Sequence, residues 1–273
     1  MNKITFPEIE LELNINKIAF AIGNINIYWY AIIIVTAIAI AILICKKNEG
    51  KYNIKFNDIL ELLIYVIPIS IITARLYYVI FNLDYYSDNI LEIFNIKNGG
   101  IAIYGALIGG AITTYIYCKT KQTDFMDMLD YIIPSVAIAQ SIGRWGNLIN
   151  IEAYGTETFL PWRMGLFENG IYKEVHPTFL YESICTLIIF IIISKKSKKR
   201  KFKGEILYLY LIMYSFIRFS IEGIRIDSLM IYNVRISQIL SIVIFVTLCI
   251  TLLYKKVKNN KTRTIKEKNQ KTS

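Results

Sequence analysis

INIYWYAIIIVTAIAIAILIC, residues 25–45, contains no charged side chain. An α-helix rises about 1.5 Å per residue, so this block is long enough to cross a hydrocarbon core about 30 Å thick. Further apolar blocks follow along the chain. Together they give seven expected spans, at about residues 21–45, 59–81, 100–118, 126–143, 177–194, 205–223 and 235–254. The first and third carry no charge, and the fifth and seventh are read as clean spans with only Glu182 and Arg235 in them. The second carries Arg75, the sixth carries Arg218 and Glu222, and the fourth is short and broken by Pro134. The whole composition agrees, with 55% hydrophobic and only 19% charged residues among 273. A soluble domain of this length needs a more charged surface. The expected fold is an all-α integral membrane protein: one seven-transmembrane-helix bundle over 1–254, with an outer segment at 144–176 and a basic tail at 255–273.

The first twenty residues, MNKITFPEIELELNINKIAF, lack the positive start and apolar core of a cleavable signal peptide, so the first span is expected to be retained. Lysine and arginine divide unevenly between the two sides. The loops after spans one, three and five, together with the tail, carry 21, including the run KKSKKRKFK at 195–203, while the opposite side carries eight. Basic residues collect on the cytoplasmic side, which puts the N-terminus outside and the tail in the cytoplasm. The net charge of +10 is therefore mainly a topology signal. A basic tail beside a membrane suits anionic lipid, so no nucleic-acid partner is expected. Cys45, Cys118, Cys185 and Cys249 form no CxxC pair and read as small packing residues, not metal ligands. No phosphate-cradling Walker loop or dinucleotide glycine pattern occurs, which argues against a nucleotide enzyme or an ATP-driven transporter.

Charges inside a bilayer are costly and usually face a polar cavity or a partner. Arg218, Glu222 and Arg225, in YSFIRFSIEGIR, are spaced i, i+4, i+7, and Tyr214 precedes Arg218 by four. On a helix these side chains share one face. Two arginines and one glutamate leave that face net positive, which suits a phosphate better than a balanced ion pair does. GRWGNLINIEAYG, residues 143–155, adds Arg144 at the outer end of the fourth span, then Asn147, Asn150 and Glu152. Gly143 and Gly146 allow close backbone approach there. GGIAIYGALIGG, 99–110, is rich in glycine and holds Tyr104 as its one hydroxyl; HPTFLYE, 176–182, holds His176, the only histidine, with Tyr181 and Glu182 nearby. Spacing thus leads to an outward-facing, arginine-rich pocket for an anionic lipid headgroup. It leaves open an enzyme, a lipid carrier and a transporter of anionic headgroups.

These motifs resemble one family. GRWGNLINIEAYG is similar to the signature of the bacterial prolipoprotein diacylglyceryl transferases, with Gly143, Arg144, Gly146, Asn147, Asn150, Glu152 and Gly155 in register. WYA at 29–31, containing Tyr30, resembles the family's Trp-Tyr-Gly, with Ala31 in place of glycine. ARLYYVIF at 74–81, GGIAIYGALIGG, HPTFLYE, YSFIRFSIEGIR and ISQILSI at 236–242 resemble later spans in order. The resemblance implies transfer of a diacylglyceryl group from phosphatidylglycerol to the thiol of a lipobox cysteine in a preprolipoprotein, with glycerol phosphate leaving and no metal or cofactor. It implies a bundle with an extracytoplasmic head, supplied mostly by 144–176, in the bacterial cytoplasmic membrane. Arg144, Arg218, Glu222 and Tyr104 are the expected catalytic residues. Arg144, Asn147, Asn150, Glu152, Tyr30, Arg225 and Tyr214 are expected to bind phosphatidylglycerol, with His176 and Arg75 as further candidates. Many relatives carry histidine where this chain has Tyr104. A phenol, with a reference pKa of about 10, is a poor base at neutral pH. Another residue then takes the thiol proton, or the arginines lower the thiol's pKa.

Overall fold

Strands, not a helix, open the chain. The computed structural model describes residues 2–96, 99–168, 170–226, 230–231 and 234–271, by backbone alone at 2, 88, 231, 234, 256 and 258–271. Lys97, counted above on the less basic side, and most of the tail's lysine side chains therefore lie outside the described residues. Asn2–Phe6 (β1) pairs antiparallel with Leu11–Ile15 (β2), and Ile18–Ile22 (β3) with Ile25–Tyr28 (β4). The first expected span is corrected here. Its residues 21–28 belong to the second hairpin, and the helix starts only at Trp29. Gly23, at φ +58°, makes the turn inside IAFAIGNINIY. A Gly-Asn turn between Ile- and aromatic-rich arms is a hairpin pattern, and an uncharged run alone does not separate strand from helix.

The helices follow: Trp29–Lys47 (α1), Phe56–Ile80 (α2), the short Leu83–Asp88 (α3), Ile103–Thr120 (α4) and Phe125–Asn150 (α5). Strands Met164–Glu168 (β5) and Ile171–Val175 (β6) come next, then Thr178–Ser197 (α6) and Glu205–Glu222 (α7). A two-residue pair, Met230–Ile231 (β7) and Val234–Arg235 (β8), leads into Ile236–Lys271 (α8). Helix α1, α2, α6 and the first 20 residues of α8 are long and apolar enough to cross a membrane. Helices α4, α5 and α7 are of similar length, 18, 26 and 18 residues, but are diluted by glycine, threonine, tyrosine and charge. The protein is mostly helical and of membrane type.

Pro134 does not break α5. It removes one backbone hydrogen bond, a loss that helices in apolar surroundings tolerate when neighbours compensate. The helix runs on to Asn150, so Arg144 and Asn147 ride on its last turns and not on a loop.

Contacts divide the described chain into two units, residues 1–44 with 132–273, and residues 45–131. In the first, β2-β1-β5-β6 form one sheet, with Ile4 opposite Leu166. Ile4, Met164, Leu166 and Val175 pack on Leu148 at the end of α5 and Phe179 at the start of α6. A second core joins Ile133 and Ala137 of α5, Ile189 and Ile193 of α6, and Ile206 and Tyr210 of α7. In the second unit α2 and α4 lie almost backbone to backbone. A Cβ on Gly105 would sit 2.4 Å from the Thr73 carbonyl oxygen, and one on Gly109 would sit 2.0 Å from Thr73 Oγ1.

Candidate active site

Three helices of the first unit bring their charged residues into one chain of contacts. On α7, Arg218 and Glu222 are one turn apart, with Nη2 2.6 Å from Oε2. Arg218 also donates from Nη1 to Glu182 Oε1 on α6 at 2.8 Å. The other oxygen of Glu182 pairs with Nε of Arg144 on α5. Glu182 and Glu222 are 2% and 1% exposed. A carboxylate buried without partners is prohibitively costly, and here the guanidinium groups supply those partners.

The contacts continue outward. Arg144 Nη1 donates to Asn147 Oδ1 at 3.4 Å, and the amides of Asn147 and Asn150 donate to Glu152 Oε1 at 2.9 and 3.4 Å. Ile151 and Ala153 take left-handed backbone angles, φ 52° and 58°. They stop α5 and fold Glu152 back so that its N–H bonds the Asn147 carbonyl at 3.1 Å. Glu222, Arg218, Glu182, Arg144, Asn147 and Glu152 thus form a continuous ladder. Each arginine has five N–H donors. Among the described residues two on Arg144 and two on Arg218 are bonded, which leaves donors on both for an incoming anion.

Glycine sets the floor beside Arg144. A Cβ on Gly146 would stand 2.5 Å from the Tyr30 ring, so only glycine lets α1 lay Tyr30 against α5. Trp145 donates to Ser183 Oγ at 3.1 Å and packs on Phe179, tying α5 to α6. Tyr214 stacks on Tyr210, ring centres 5.8 Å apart, and the Tyr210 hydroxyl donates to Gln140 Oε1 at 2.8 Å.

Other expected site residues lie elsewhere. Helix α7 ends at Glu222, so Arg225 is not on the Arg218 face; its main chain bridges Gly155, and its carbonyl accepts from Arg235 Nη2 at 3.2 Å. The net positive face expected from the sequence is also revised, because Glu182 and Glu222 balance Arg144 and Arg218. Arg75, in the second unit, spends all five donors on main-chain carbonyls of Glu92, Ile93, Asn95, Gly99 and Gly100. It shapes the run into α4 and keeps no donor for a phosphate. Tyr104, also in the second unit, lies near Tyr77 with ring centres 6.4 Å apart. His176 Nδ1 is 3.2 Å from the Tyr181 hydroxyl, and burial holds its pKa below the usual imidazole value.

Glu182, named from the sequence only as a neighbour of His176, is the residue that joins the two arginines. The signal was present: one acidic side chain inside an apolar span, the same cost that singled out Glu222.

A helical membrane protein with its charged residues gathered on one buried ladder is the class that fold and site define. The family model for prolipoprotein diacylglyceryl transferase matches residues 17–254. A phosphatidylglycerol–prolipoprotein diacylglyceryl transferase of Finegoldia magna is 48% identical over 206 residues, 75% of this chain and 82% of that protein. One of Clostridioides difficile is 46% identical, covering 80% and 87%, and one of Listeria welshimeri is 43% identical, covering 80% and 82%. The chain belongs to the prolipoprotein diacylglyceryl transferase family, and it is a transferase.

Proposed function

We propose that this protein moves the diacylglyceryl group of phosphatidylglycerol onto the thiol of a prolipoprotein's lipobox cysteine. The ladder from Glu222 to Glu152 carries the reading, because its two guanidinium groups keep unspent donors inside an apolar bundle. The sulfur attacks the glyceryl carbon, the carbon–oxygen bond to phosphate breaks, and glycerol phosphate leaves with the electron pair. Negative charge grows on the phosphate as it departs. Arg144 and Arg218 supply fixed donors where that charge develops, and such fixed donors act strongly in a low-dielectric site. Glu182 holds both arginines in place, one on each oxygen. Asn147 and Asn150 orient Glu152, which among the described residues is paired with amides and not with a guanidinium. It is the carboxylate best placed to receive the thiol proton.

All seven longer helices cross the bacterial cytoplasmic membrane in this reading. The N-terminus and the β2-β1-β5-β6 sheet lie outside, and the basic tail lies in the cytoplasm. The charge asymmetry supports this orientation.

The test is transfer in vesicles containing phosphatidylglycerol and a lipobox peptide, scored as thioether-linked diacylglyceryl peptide. Arg144→Ala should lower the rate by about a hundredfold or more, since a charged hydrogen bond is worth about 2–3 kcal/mol. Arg144→Lys should remain severely impaired, because a point charge does not reproduce the planar fork. Glu182→Gln should fall with them, although it touches no substrate. Near-parental transfer by folded Arg144→Ala protein would remove the ladder from the mechanism.

A further inference from the structure

Between the sheet and α6, the turn at 159–162 holds up four apolar residues in a row, Phe-Leu-Pro-Trp. Phe159 is 95% exposed and Trp162 53%. The turn is firmly built. Arg163 N–H closes it on the Leu160 carbonyl at 3.0 Å, and the Arg163 side chain roots it to β6 through Glu174 at 2.5 Å and to the turn between β1 and β2 through Glu8 at 2.8 Å. A fixed turn that shows this much apolar surface to water gives up about 25 cal/mol for every Å² left uncovered.

Its position identifies the cover. The Trp162 indole donates to the Tyr181 hydroxyl at 2.7 Å, and Tyr181 lies in the first turn of α6. Along α6, Tyr181, Ile184, Ile188 and Ile191 recur every three or four residues and share one face. The three isoleucines are exposed, on a helix apolar enough to span a membrane. The turn therefore continues the lipid-facing stripe of α6 upward by one step. Charged groups that belong in water adjoin the turn as well: Glu157 and Arg163 flank it in the chain, and Arg163 pairs with Glu8 and Glu174. An aromatic pair with an apolar body and a polar tip, between a lipid face and a charged face, fits the membrane–water boundary.

We infer that the turn at 159–162 is a membrane anchor. Phe159 and Trp162 insert into the interfacial layer of the lipid beside α6 and fix the height of the sheet above the bilayer. The depth is that of an interfacial segment, about 5–10 Å into the headgroup–acyl boundary. Neither residue belongs to the charged ladder, so the anchor stands or falls separately from the reaction assigned above.

Phe159→Trp tests it, because a side chain this exposed is replaced without disturbing the fold. The full chain is placed in phosphatidylcholine–phosphatidylglycerol vesicles, and the parent's emission is subtracted. The added tryptophan should emit to the blue. It should be quenched strongly by lipids brominated high on the acyl chain and weakly by those brominated near its end. Aqueous iodide should leave it unquenched. Trp162→Phe should remove a component with the same behaviour from the parent. Iodide quenching without bromine quenching would place the turn in water and overturn the inference. A blue shift that ignores bromine and grows with the protein-to-lipid ratio would assign the turn to a second copy of the chain, and would overturn it equally.

Discussion

Glu182 carries a guanidinium on each oxygen, and that single placement changes the electrostatics of the site. The arginines are not a bare positive patch awaiting phosphate. They are held by carboxylates, and among the described residues each keeps donors that no group takes. Tyr104 poses a different question at this scale. If its hydroxyl orients a headgroup by one hydrogen bond, Tyr104→Phe should slow transfer about tenfold, near the 1.4 kcal/mol of one such bond. Tyr104→His should then stay active, since imidazole also donates. If the position supplies the base, the histidine variant should gain an ionisation at about pH 6–7 in its pH–rate profile and surpass the parent near neutrality. The orienting role is favoured, because a phenol is a weak base and its neighbours on α4 are apolar. Transfer measured against pH for the parent and both variants decides between them. Arg144, Arg218, Glu222, Asn147, Asn150 and Glu152, which stand out in the sequence as charge and amide in or beside apolar blocks, are brought together in the ladder. Arg225 misled, since helical spacing was extended past the point where Gly223 ends the helix.

At the scale of elements, glycine decides how closely backbones approach. On α4, Gly105 meets the main chain of α2, and Ala102 N–H bonds the Ala74 carbonyl at 3.1 Å. Arg75, one residue further along α2, grips the carbonyls of 92–100 just before α4 begins. Gly105→Ala should therefore push the helices apart and destabilise the protein by about 1–3 kcal/mol, the usual cost of overpacking. Thermal unfolding in detergent should show a lowered midpoint, while Gly99→Ala, with open space around it, should show only the strain of its positive φ. An unchanged midpoint for Gly105→Ala would mean that the two helices are not in backbone contact. Five glycines within residues 99–110 are a sequence pattern for close helix packing. The hairpin of β3 and β4 was not legible in the sequence, because isoleucine serves a strand and a spanning helix equally well and only Gly23 hinted at a turn.

For the whole molecule, the proposed orientation rests on the charge asymmetry of the sequence. Single-cysteine probes on a cysteine-free background give the check. A probe near residue 160 should react with an impermeant reagent in intact cells, and one near residue 200 only after permeabilisation. Reaction of the second from outside would reverse the assigned topology. What no local pattern could reveal is that β1 belongs beside β5, since pairing Ile4 with Leu166 depends on five intervening helices. That pairing has a consequence in time. At about 5–20 residues per second, β1 is synthesised roughly ten to thirty seconds before its neighbour exists. During that interval the β1–β2 hairpin stands alone with an open edge, and isolated hairpins are marginal in water. Nascent chains arrested before residue 164 should have this hairpin cut readily by protease, and chains arrested beyond β6 should resist. Equal resistance in both would mean that the hairpin finds its shelter without β5.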